Sequence, residues 1–257
     1  MPDHPRRRDL LSGMGALAAL LTTRPSWALG DRSRLDVAEI MLPSGTLSRP
    51  ESWRRLLFEV IQTTSIEAHP DAVQVEPEDP ALFAHPFSVL IGDGALPDLS
   101  DAAVEQLRRY LSYGGFLVLD DASGTPGGAF ARSATRLAAR LFPTRPLSPL
   151  PGDHSIYRSY FLLDRPLGRV ADVDVLEGIT LGPVTPLVLC GNDLSGALDR
   201  AEDGRNRYPV IPGGEGQRRE ALKLGINLVL YSLTSNYKHD QAHVAELMRG
   251  GKLGISE

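Results

Sequence analysis

Residues 88–119 hold two short, nearly unbroken apolar runs, Ser88-Val89-Leu90-Ile91 and Phe116-Leu117-Val118-Leu119, joined by one amphipathic stretch. A strand without polar alternation must be covered on both faces, which is the condition of a strand inside a parallel sheet. The joining stretch carries the punctuation of a helix. Ser100 suits the N-cap, Asp101 and Glu105 suit the positive end of the helix dipole, and Val104, Leu107, Tyr110 and Leu111 recur on one face before Gly114-Gly115 ends the run. The unit is predicted to be a strand-helix-strand crossover, parallel and right-handed.

The rest of the chain repeats that alternation. Leu35 to Leu42 reads as a first strand ending at Pro43-Ser44-Gly45, and Pro50 opens a helix with Trp53, Leu56, Leu57, Val60 and Ile61 in one stripe. A further strand is predicted at Ala72 to Glu76, between Pro70 and Pro77. A Gly-rich turn, Gly124 to Gly128, leads into a helix from Ala129 to Phe142 that Pro143 ends. Residues 144–186 form a Pro- and Gly-rich excursion in which Tyr157 to Leu163 is predicted as a strand. Leu187-Val188-Leu189-Cys190 is a last buried strand, and Arg218 to Leu233 a helix burying Ala221, Leu222, Leu224, Leu228 and Val229. Strands alternating with helices predict an α/β fold of three layers, a mostly parallel sheet with helices on both faces. Any ligand crevice then lies at the carboxyl ends of the strands.

Ahead of this domain stands a different kind of segment. Arg6-Arg7-Arg8-Asp9-Leu10-Leu11, the soft apolar run Ser12 to Leu21 and the small-residue site Ser26-Trp27-Ala28 have the three parts of an export signal of the twin-arginine kind. Residues 1–28 are therefore expected to be removed, leaving 29–257 as a single domain in the periplasm. Leu10 to Leu21 falls short of the ~20 apolar residues of a membrane span, so no membrane insertion of the mature chain is expected. The leader takes four arginines and two aspartates with it, so of 27 basic and 32 acidic residues 23 and 30 remain, a net charge of −7. Such a surface repels phosphate backbones, which argues against nucleic acid as a partner. The one cysteine, Cys190, excludes an internal disulfide and a thiolate metal site, and no cofactor is expected beyond the divalent cation weighed next.

Polar groups cluster where the crevice rule points. Asp93, Asp120-Asp121 and Asn192-Asp193 all follow predicted strands. One reading makes them a carboxylate cluster for Mg²⁺ or Ca²⁺, or an acid/base pair whose repulsion shifts one member's pKa. The other makes them caps and acceptors for loop amides. Asp153-His154 and Tyr157-Arg158 lie in the excursion, with His154 the candidate general base. His239 and His243 are four apart, as a helical metal pair requires, but Asp240-Gln241-Ala242 between them lacks the glutamate of the zinc-protease pattern. Cys190 has no histidine near it in sequence, and Ser123 lacks the Gly-x-Ser-x-Gly elbow. The Gly124 to Gly128 turn lacks the Gly-Lys-Ser/Thr of a nucleotide loop.

A family resemblance joins these pieces. Tyr113 to Asp121, Arg136 to Pro143, Leu147 to His154, Tyr157-Arg158-Ser159, Leu176 to Ile179, Asn192-Asp193-Leu194, and Leu224-Gly225-Ile226-Asn227 through Asn236-Tyr237-Lys238 together resemble the bacterial domain of unknown function 4159. The resemblance implies a fold like that of class I glutamine amidotransferases (flavodoxin-like) and no established activity. In amidotransferases a cysteine occupies the sharp turn after a central strand; here Asp120-Asp121 stands at the comparable place, so the thiol chemistry is expected to be absent. The expected role is an exported, non-catalytic binding or assembly module. Asp120, Asp121, His154, Arg158, Asn192 and Asp193 line its functional surface, with Arg158 holding a carboxylate or carbonyl of the partner. The alternative is a periplasmic hydrolase in which Asp120 or Asp121 holds a cation or activates water and His154 moves the proton.

Overall fold

The structure, a computed structural model, describes residues 34–249, with side chains as far as Ser235. The expected export signal lies outside the described residues, and so do the side chains of His239 and His243. Seven strands make one sheet: β1 (Val37–Ile40), β2 (Val73–Val75), β3 (Phe87–Gly92), β4 (Phe116–Asp121), β5 (Ser148–Pro149), β6 (Glu177–Leu181) and β7 (Val184–Cys190). Their order is β2-β1-β3-β4-β7-β6-β5, which puts β4 in the middle. The five strands from β2 to β7 in that order run parallel, and β6 and β5 add an antiparallel margin.

Alternation along each strand fills two apolar layers, one on each face. Leu117 and Leu119 of β4 and Leu187 and Leu189 of β7 face α2 (Asp101–Ser112) and α3 (Ala129–Leu141). Phe116, Val118, Val188 and Cys190 face the opposite way, toward α1 (Pro50–Thr63), α4 (Leu194–Leu198) and α5 (Gly214–Arg249). The sheet is thus covered on both sides, as its unbroken apolar runs demand. Between α2 and β4 the chain reverses at Gly114, whose φ of 101° suits glycine. Gly115 must stay bare, because a Cβ there would sit 2.3 Å from the ring of Tyr110. That ring is in turn anchored by its hydroxyl on the His85 carbonyl, at 2.7 Å.

The excursion differs from expectation. Tyr157 to Leu163 is not a strand: Ser155–Arg158 is a 3₁₀ turn, and the segment packs on α5 instead of on a strand edge. Its backbone is paired by a side chain. Asn227 Oδ1 accepts from the Tyr160 and Phe161 amides at 3.2 and 2.8 Å, and its Nδ2 donates to the Ile156 and Phe161 carbonyls at 2.9 and 2.8 Å. The sheet margin is built instead by Glu177–Leu181, which pairs back on β7 through the turn at Gly182, φ 59°. Asn227→Ala strips two donors and two acceptors of their partner inside the protein. We expect a loss of about 2 kcal/mol, the scale of an unsatisfied buried polar group, seen as a lower urea midpoint; an unchanged midpoint would contradict this fastening role.

Among the described residues no helix is long and apolar enough to cross a membrane.

Candidate functional site

The ends of β4 and β7 lie side by side, Asp120 paired in register with Cys190. Three residues beyond β7, Asp193 takes a left-handed conformation, φ 55°, and caps α4 by accepting from the Gly196 amide at 2.9 Å. Asp120 receives the two amides before it, Leu194 and Ser195, each at 2.8 Å. The first three N–H groups of α4, which have no partner inside a helix, are therefore held by two carboxylates.

Two arginines offset those charges. Arg49 Nη1 lies 2.5 Å from Asp193 Oδ1 and 3.0 Å from Ser195 Oγ, and Arg169 Nε donates to Asp193 Oδ2. Arg49 also lies over the ring of Tyr208, 5.1 Å from its centroid. Its backbone amide donates to Glu39 of β1 at 2.7 Å, and Glu39 also accepts from Trp53 Nε1 at 2.8 Å and Ser48 Oγ at 2.5 Å. The network is shut away from water: Asp120 and Asp193 are 0% exposed, Glu39 2% and Arg49 8%. Burial pushes the Asp120 carboxyl up to about 6, and the charge of Asp193 adds to that, against the pull of the Ser195 bonds and Arg49. Burial pulls the Arg49 guanidinium down, but Asp193 and Asp120 outweigh it and hold the group above its ordinary value.

Asp121 belongs to a different place. Successive strand residues face opposite sides of a sheet, so its side chain turns toward α3 while that of Asp120 turns toward α4. Its Oδ1 accepts from the Ser123 amide at 3.0 Å and the Ser123 hydroxyl at 2.6 Å. Burial pushes its carboxyl up, opposed by those Ser123 bonds. Asp121 lines a cavity of about 220 Å³ together with residues of α3, β7 and the excursion.

The remaining candidates are spread out. Asn192 is an internal fastener: Oδ1 accepts from the Asp172 and Val173 amides at 3.0 and 2.9 Å, and Nδ2 donates to the Pro166 and Val173 carbonyls at 2.6 and 2.7 Å. Its hydrogen-bonding capacity is used up. His154 bonds Thr185 Oγ1 through Nε2 at 3.1 Å and accepts the Ile156 amide at Nδ1, its ring against Tyr231. Thr185 stands at the opposite end of β7 from Cys190. Five residues of strand at about 3.3 Å each separate His154 from the level of Asp120 by on the order of 15 Å. Arg158, exposed on the same 3₁₀ turn, stays with His154. The structure thus brings Asp120 and Asp193 together, leaves Asp121 across the sheet from them, and does not gather the six residues on one rim. A topology read from strand order does not say which end of a strand a long loop reaches.

Cys190 is a core thiol, raised well above its ordinary pKa by burial and by Asp120, hence poorly reactive. Asp93 is exposed. Among the described residues no group of three His, Cys, Asp or Glu side chains is placed to hold a metal ion. Three members of the network escaped the sequence reading: Glu39, Arg49 and Arg169. Glu39 left a signal, a lone carboxylate in the otherwise apolar Val37-Ala38-Glu39-Ile40, which only a buried donor set tolerates. Arg49 and Arg169 left none, since each sits in a loop with no pattern around it that marks a buried charge.

A central parallel strand ending in aspartates, whose next parallel neighbour feeds a short carboxylate-capped helix, defines a mostly parallel α/β domain organised around a buried acid-arginine network. The family described as Domain of unknown function (DUF4159) matches residues 38–233, and the chain belongs to it. The matched stretch takes in Glu39, Asp120, Asp193 and the cavity beside Asp121. No curated protein matches the chain.

Proposed function

We propose that this chain is an exported, non-catalytic binding or assembly module with a fold of the class I glutamine amidotransferase kind. The observation that carries the reading is the dispersal of the catalytic candidates: Asp120 is fully buried and spent, with Asp193 beside it, on α4 amides and arginines, while His154 is bonded to Thr185 at the other end of β7 and Asp121 lies across the sheet. A general base must reach the proton it removes, and Asp120 and Asp193 reach only the protein. The amidotransferase likeness is supported by β4 at the centre of the sheet, followed by the sharp Asp121-Ala122-Ser123 turn with no thiol in it. The periplasmic location is supported by the twin-arginine pattern at Arg7-Arg8 and the single cysteine. Binding falls to what is left accessible at the strand ends, the Asp121 side and the neighbouring excursion.

The purified protein is expected to hydrolyse neither glutamine nor simple esters or phosphoesters above buffer rates; turnover that disappears in Asp121→Asn or His154→Ala would establish the hydrolase instead. In pull-downs from periplasmic extract, Asp121→Ala is expected to lose proteins that the wild type retains. Identical captured sets would remove the support for this surface. Arg7→Lys with Arg8→Lys is expected to leave the chain in the cytoplasmic fraction, and unchanged export would refute the proposed route.

A further inference from the structure

The cavity beside Asp121 lies outside the carboxyl ends of β4 and β7, where sheets of this kind take ligands. Its volume of about 220 Å³ is about seven times the ~30 Å³ that a water occupies in the liquid, room for a molecule of about that many heavy atoms. Its middle is apolar: Ala131 of α3, Leu189 of β7, and Val173 and Val175 of the excursion. A carboxylate stands toward each side. Register places Leu119, Leu189 and Glu177 in one row on one face of the sheet, and Asp121 two residues beyond Leu119 on that same face. Asp121 and Glu177 are thus two strands apart, about 10 Å across the sheet.

Neither carboxylate is neutralised by the protein. Asp121 is 1% exposed and makes no ion pair; Ser123 occupies its Oδ1, and no donor among the described residues reaches its Oδ2. Glu177 has neither an ion pair nor a side-chain hydrogen bond among the described residues. Arg132 of α3 donates to the Gly127 carbonyl, and Arg169 to Asp193. Asp93 and Asp193 add further negative charge around Asp121. A buried carboxylate that makes no ion pair gains from a cation entering the cavity, because an opposite charge beside it favours its ionised form.

We propose that this cavity binds a short aliphatic diamine, one ammonium on Asp121, the other on Glu177, and the methylenes against Val173, Val175 and Leu189. A hard metal ion is disfavoured, because it asks for six or more oxygen ligands where the walls here are apolar. A single ammonium leaves one carboxylate without a partner. The assignment rests on reading the strand-end edge as a binding surface, and it specifies what that surface takes.

The test is calorimetric titration of the full chain with butane-1,4-diamine, beside butylamine, butanol and Ca²⁺. The diamine is expected to bind one to one, weakening at least tenfold in Asp121→Asn and several-fold in Glu177→Gln, a half-exposed position where the fold is not at stake. Butylamine is expected to bind more weakly and to respond to Asp121→Asn alone, and butanol not to bind. Absence of diamine binding, equal binding by both variants, or a preference for Ca²⁺ would overturn the assignment. Mass spectrometry of the recovered diamine separates the two levels of inference. A bound but chemically altered diamine supports the site and ends the non-catalytic reading; an unbound, unaltered diamine ends the site and leaves that reading standing.

Discussion

Asp193→Ala is expected to destabilise the domain by about 3–5 kcal/mol, the cost of breaking a buried ion pair from one side. The residue carries three loads at once. It compensates Arg49, 2.5 Å away and 8% exposed, and the partly buried Arg169, so its removal strands two guanidiniums. It caps α4 through the Gly196 amide, worth about 1 kcal/mol. It also holds a left-handed backbone, φ 55°, which aspartate tolerates better than alanine. These contributions overlap, so they do not add in full. Set against a typical total of about 5–15 kcal/mol, the loss is large enough to be unmistakable in a urea titration followed by circular dichroism. Asp193→Asn, which keeps a capping oxygen and the left-handed preference, is expected to fall between the alanine variant and the wild type. A loss below about 1 kcal/mol for the alanine variant would mean that the arginines find water or other partners, and that the network is not what fixes α4 to the sheet.

What could be read from the sequence was whatever carried its own local signal. The β3-α2-β4 unit is the clearest instance, since its cap, its apolar face and its stop lie within a few residues of one another; Ser100 Oγ does accept the Ala103 amide, at 3.0 Å. The α1 stripe was legible for the same reason, with Trp53, Leu56, Leu57 and Val60 buried and only Ile61 left 39% exposed. The network could not be read, because its pairs are remote: 144 positions separate Arg49 from Asp193. The β6 strand was hidden too, since Glu177-Gly178-Ile179-Thr180-Leu181 carries a glycine inside it, runs into Gly182-Pro183 and becomes a strand only by pairing with β7.

The motifs behind the family resemblance are instructive in the same way. Asn192-Asp193-Leu194 looks like a site signature in the sequence, and Leu224 to Asn227 is a second motif of the resemblance. In the fold, Asn192 and Asn227 each spend both donors and both acceptors on the backbone of the excursion. Amide side chains suit that task because one group offers acceptor and donor together, which a Pro- and Gly-rich connection without a strand partner needs. The residues that tie such a loop down are as specific as catalytic ones, and sequence pattern alone does not separate the two.

Asp120 is expected to make stability fall as pH rises between about 4 and about 6. Its folded pKa, pushed up to about 6 by burial and by Asp193, lies above its ordinary 3.8. The folded state therefore binds the extra proton in that window. The stabilisation is fully present below the ordinary value and is lost as pH rises through about 6, by about 3 kcal/mol in all. Asp121 and Asp199, both raised by burial, act with the same sign. His154 acts with the opposite one: burial lowers its pKa, so its contribution is present above its ordinary 6.5 and lost as pH falls. The wild-type profile alone is thus a sum, and the informative quantity is its difference from Asp120→Asn. The amide cannot titrate and can accept only one of the Leu194 and Ser195 amides through its oxygen, so the variant loses an α4 bond at every pH. The penalty relative to wild type is expected to be largest near pH 4 and to shrink toward pH 7, where the wild type itself carries a buried charge beside Asp193. Urea midpoints of both proteins at half-unit pH steps measure it. A difference that stays flat across the window would show that Asp120 is ionised throughout, with the α4 amides and Arg49 outweighing burial and the neighbouring carboxylate.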